Sequence, residues 1–147
     1  MPDPTRVLVV AHKTAATPAL IDAVRERAAR GAAAFTLLVP PSAHGLDRVM
    51  DPEDHRTDEE AAAMIELALP LLEDAAGGPV RGIVGSDPAP LTSIEDAINR
   101  DGYDEIIIST LPARVSRWLR LDLPHKLNGL GLPVTTVTAR ERAAAET

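Results

Sequence analysis

The chain has 147 residues, which suits one domain around a single core. Apolar residues make up 45% and aromatic ones only 2%, so the core must be aliphatic, as in helices packed on a parallel sheet. A formal charge of −7 disfavours nucleic acid, whose phosphates select basic surfaces, and the absence of cysteine excludes disulfides and thiolate chemistry.

The first predicted strand is Arg6–Ala11 (RVLVVA), an unbroken apolar run. Thr17-Pro18 then supplies an N-cap hydroxyl and a proline suited to a first helical turn. Leu20, Ile21, Val24 and Ala28 follow at helical spacing, and the helix is expected to end near Gly31. Ala34–Val39 (AFTLLV) is the second strand, and residues 40–56 read as a long loop of mixed charge. Thr57-x-x-Glu60 has the form of a capping box. Behind it Ala61, Met64, Ile65, Ala68, Leu71 and Leu72 form an apolar stripe, and Pro70 is expected to bend that helix or begin its end.

Val80–Gly85 (VRGIVG) is a weaker third strand. Asp87-Pro88 or Pro90 opens a third helix with Leu91, Ile94, Ala97 and Ile98 facing inward. Glu105–Ser109 (EIIIS) is the fourth strand. Ser116 is placed to cap a fourth helix carrying Trp118, Leu119, Leu123 and Leu127, with Pro124 favouring two short pieces, the second capped by Asp122. Gly129 and Gly131 end it, and Pro133–Thr138 (PVTTVT) is the last strand.

This alternation predicts an α/β fold: an open, five-stranded parallel sheet with helices on both faces and right-handed crossovers. The whole chain, 1–147, reads as one domain with its core at about 5–138 and a flexible tail at 139–147. No apolar run precedes the first strand and no segment approaches a membrane span, so a soluble cytoplasmic protein is the expectation.

Two groups of residues suit ligand chemistry. His12, Lys13 and Thr14 follow strand one at the carboxyl edge of the sheet, where ligands bind in such folds; a solvated polar loop gives the same pattern. Ser109, Thr110, Arg114, Ser116 and Arg117 bring hydroxyls, two guanidinium groups and a helix start together, which suits a phosphate or sulfate. An exposed basic helix start balancing an acidic chain would look alike. His44, Asp51, Glu53, Asp54 and His55 fit no common zinc spacing, and His125 reads as a surface residue. Trp118 reads as packing at a helix–loop junction. No arrangement supports nucleophilic catalysis, and there is no Walker-type loop, so no enzyme is expected.

Several motifs, taken in order, resemble the universal stress protein family over about residues 5–138. They are RVLVVA with a polar loop after it; Gly85-Ser86-Asp87-Pro88 before a helix with Ile94 and Ala97; Tyr103-Asp104-Glu105-Ile106-Ile107-Ile108-Ser109-Thr110; and Leu132-Pro133-Val134. The resemblance implies an adenine nucleotide alpha hydrolase-like sheet with strand order 3-2-1-4-5 and a homodimer formed through the last strand, Pro133–Thr138. It also implies a ligand site drawing on Ala11, His12, Lys13, Gly85 and the Ser109–Arg117 loop.

Some members of that family bind ATP through a pattern of Gly, two residues, Gly, nine residues, then Gly and Ser or Thr. Laid on this chain from the end of the fourth strand, the first glycine falls at Ser109 and the second at Pro112, which has no amide to donate. The final pair falls at Asp122 and Leu123, and an Asp beside polyphosphate is repulsive by roughly 1 kcal/mol or more. Ala11-His12 stands where the family often carries an acidic residue. The resemblance therefore implies a non-enzymatic stress-response module with no cofactor, binding a small anion in preference to ATP. A divergent ATP-binding member with slow hydrolysis and a ligand-free protein–protein interaction module are the other two readings.

Overall fold

The computed structural model describes residues 4–11, 15–41, 56–86, 90–110 and 131–138. In chain order these form β1 (Thr5–Val10), α1 (Pro18–Ala29), β2 (Ala33–Val39), α2 (Arg56–Ala76), β3 (Val80–Val84), α3 (Pro90–Asp101), β4 (Glu105–Thr110) and β5 (Val134–Thr138). The five strands make one sheet in the order β3-β2-β1-β4-β5, every pairing parallel. Both the five strands and their order are as the sequence led us to expect.

Alternation along the central strands sorts the core into two layers. Val7 and Val9 of β1 face one way, with Leu37 of β2 and Ile107 of β4; there they meet Leu20 and Val24 of α1 and Ala61, Ile65, Ala68 and Leu72 of α2. Leu8 and Val10 face the other way, with Leu38, Ile106 and Ile108, against Ile94 and Ala97 of α3. A strand between two helical layers needs apolar side chains at every position, which is why RVLVVA and EIIIS run without polar interruption. Each such fully buried aliphatic side chain contributes about 1.5–3 kcal/mol.

Several local expectations are corrected. Thr17 does hold the N-cap of α1, with Pro18 in the first turn, but its hydroxyl makes no capping bond. Arg56 already belongs to α2, so Thr57 stands inside the helix rather than ahead of it, and its side chain lies outside the described residues. Pro70 lies within α2, which continues to Ala76, so the proline does not end the helix. It lies on the exposed side, where the ring costs no core packing although it removes one helical hydrogen bond and crowds the carbonyl one turn back. Leu71 leaves the core stripe and is 42% exposed; the buried positions continue instead through Leu72 and Ala75. The fourth helix expected around Ser116–Leu127 and the tail at 139–147 lie outside the described residues. So do His44, Asp51, Glu53, Asp54, His55, Trp118 and His125.

Two glycines in left-handed conformation close helices: Gly77 after α2 and Gly102 after α3, both at φ 77°. Their amides donate to the carbonyls of Glu73 and Ile98, each at 2.9 Å, using carbonyls the helix leaves open.

Candidate functional site

The connections decide where a ligand cleft can form. From β1 the chain moves through α1 to β2 and through α2 to β3, with both helices on one face of the sheet. It then returns through α3, on the other face, to β4 beside β1. The sense of winding therefore reverses between β1 and β4. At such a switch point the loops leaving the two carboxyl ends diverge to opposite faces and leave a crevice between them.

Val10 of β1 is aligned with Ile108 of β4, so Ala11 and Ser109 are the next positions at this edge. Ala11 is buried at 2% exposure, and its amide donates to the Leu38 carbonyl at 3.1 Å, carrying the β1–β2 ladder one step past the strand. Ser109 is buried at 3% exposure and stands opposite Val137 of β5. Thr110 ends β4 opposite Thr138. The remaining residues expected here, His12, Lys13, Arg114, Ser116 and Arg117, lie outside the described residues, as do Thr14, Pro112, Asp122 and Leu123. The fold thus sets Ala11 and Ser109 on neighbouring strands at the carboxyl edge.

Gly85 lies on the same edge but two strands away, just after β3, where its amide donates to the Val39 carbonyl at 2.8 Å. It has a packing reason to lack a side chain. A Cβ built there would lie 2.5 Å from the Ser93 hydroxyl oxygen and 3.0 Å from the Pro40 Cα. Ser93, one turn into α3, is itself buried. Next to Gly85, the Ser86 hydroxyl donates to the Asp96 carboxylate, tying the β3–α3 connection to the second turn of α3. The Gly85-Ser86 motif therefore seats a helix. The reading of the sequence missed Ser93 and Asp96; serines and aspartates in a helix read as surface residues, and only the glycine hinted at a close approach.

The opposite, amino edge of the sheet holds a second set of polar contacts. Asp104, the acidic residue before β4, accepts the Arg6 amide on its carboxylate at 2.9 Å and donates its own amide to the Arg6 carbonyl at 2.7 Å. The Arg6 guanidinium lies 5.3 Å over the Tyr103 ring and donates to the Asp101 carbonyl. Arg27 of α1, 8% exposed, pairs with Glu105 through Nε and Nη2, both at 3.0 Å from Oε1. These groups bind β1, β4 and α1 to one another far from the carboxyl edge. The acidic turn that marks the family-like motif thus has an architectural job. Among the described residues no group of three or more His, Asp or Glu side chains is disposed to hold a metal. No helix among them is long and apolar enough to cross a membrane.

No protein-family model matches the chain. No curated protein matches it either. Among solved structures, the crystal structure of hypothetical protein PH0823 aligns with 91% of this chain and 96% of its own, at a TM-score of 0.58 and 19% sequence identity. That likeness shows a shared parallel α/β fold across nearly the full length of both chains.

Proposed function

We propose that this protein is a universal stress protein-like, non-enzymatic cytoplasmic module that binds a small anionic ligand at the crevice between β1 and β4 and does not use ATP. The observation that carries the reading is the reversal of winding at β1 and β4. It sets Ala11 and Ser109 on neighbouring strands at the carboxyl edge, and the His12–Lys13 and Ser109–Arg117 segments adjoin those two positions in the sequence, which supports a shared site. Two arginines, a lysine and several hydroxyls on those segments suit phosphate or sulfate. Pro112 and Asp122, in place of phosphate-facing glycines, oppose a bound triphosphate.

The same reading includes a homodimer formed through β5. This strand lies at the end of the sheet order and pairs with β4 on one side. Its side chains are largely exposed, and a β-branched edge of this kind presents unpaired backbone groups to a second copy.

Titration calorimetry with Mg-ATP and with inorganic phosphate tests the ligand assignment. We expect no strong heat with Mg-ATP. A submicromolar dissociation constant, below about −8 kcal/mol, would refute the assignment in favour of a divergent ATP-binding member. Phosphate binding should weaken with salt and disappear in an Arg114→Ala, Arg117→Ala double variant. Unchanged phosphate binding in that variant would move the site to His12 and Lys13. No response to any anion would favour a ligand-free interaction module.

A further inference from the structure

We draw no further inference here: the strongest candidate, the outward apolar ridge of α2 formed by Leu67 and Leu71 between the acidic residues Glu66 and Asp74, is an unpartnered helix face, and nothing in the structure shows what covers it.

Discussion

Replacing Gly85 by alanine separates two roles for this residue, as a point of backbone approach to a phosphate and as a seat for α3. The added Cβ would lie 2.5 Å from the Ser93 Oγ, roughly 1 Å inside ordinary contact. The second neighbour, the Pro40 Cα at 3.0 Å, is backbone and gives way less easily. Overpacking of this kind costs about 1–3 kcal/mol, and two opposed neighbours place it in the upper half of that range. Against this, Gly85 is not among the glycines with positive φ, so alanine also stiffens the unfolded chain and returns about 0.4–1 kcal/mol. The net loss is then about 1–2.6 kcal/mol, or roughly 3–8 °C in Tm for a domain of this size.

The cycle with Ser93→Ala identifies the cause. Ser93→Ala alone should cost about 1 kcal/mol for its buried hydroxyl. In the Gly85→Ala background it also removes the closest clashing atom, so the double variant should be more stable than the sum of the singles by about 1 kcal/mol. The assay is urea unfolding followed by far-ultraviolet circular dichroism, with phosphate-induced thermal shifts measured on each variant against its own baseline. A Gly85→Ala protein of unchanged midpoint, or a strictly additive double variant, would refute the packing role. If phosphate response were lost while stability held, Gly85 would belong to the ligand site instead.

Three more outcomes follow from the same geometry. Gly82→Ala should lose about 1–2 kcal/mol, because its Cβ would fall 2.4 Å from the Ile65 Cγ2, and the loss should shrink in an Ile65→Ala background; equal losses in both backgrounds would contradict it. Glu105→Gln should cost about 1–3 kcal/mol in urea unfolding by leaving the Arg27 charge poorly matched, whereas replacing both partners with apolar residues should come close to neutral; a double replacement as damaging as the single one would show that the pair adds net stability. For the proposed dimer through β5, Thr136→Lys at an exposed position of that strand should shift the protein toward monomer in light scattering at about tens of micromolar; a dimer indifferent to this charge, or a parent protein that is monomeric, would place the interface elsewhere or remove it.

The fold was legible in the sequence because its signals are backbone-scale and redundant. A strand covered on both faces can carry a polar residue only where a partner is at hand, so Val7 to Val10 and Ile106 to Ile108 announce their place in the sheet by composition. The helix stripes carry the same information at a different period, and Ile94 and Ala97 fell where spacing put them. Errors arose where one residue decides the outcome. Leu71 and Leu72 are chemically alike, and the phase of α2 against the sheet turns one into the core and the other outward. Thr57 and Glu60 satisfy the capping pattern, but the helix already includes Arg56, and the pattern contains nothing that measures that offset.

The candidate site was less legible for a reason that Gly85 also illustrates. Residues at the carboxyl edge serve two masters: they end the sheet's hydrogen-bond ladders and they begin the ligand loops. Ala11 and Gly85 both donate an amide to the β2 side of the sheet, to Leu38 and Val39, so each is held by the ladder before any ligand arrives. A small residue there satisfies close packing and close ligand approach equally well, and the two cannot be told apart by residue type. Asp104 shows the same ambiguity at the amino edge, where an acidic residue in a family-like motif clamps the Arg6 backbone. Motif residues adjoining a sheet should therefore be credited to architecture first. Beside these stand the basic residues that follow Ala11 and Ser109 in the sequence, Lys13, Arg114 and Arg117, on which the proposed anion site rests. In a chain of net charge −7, replacing these few cations is the mutation that best discriminates the proposed anion site from a ligand-free module.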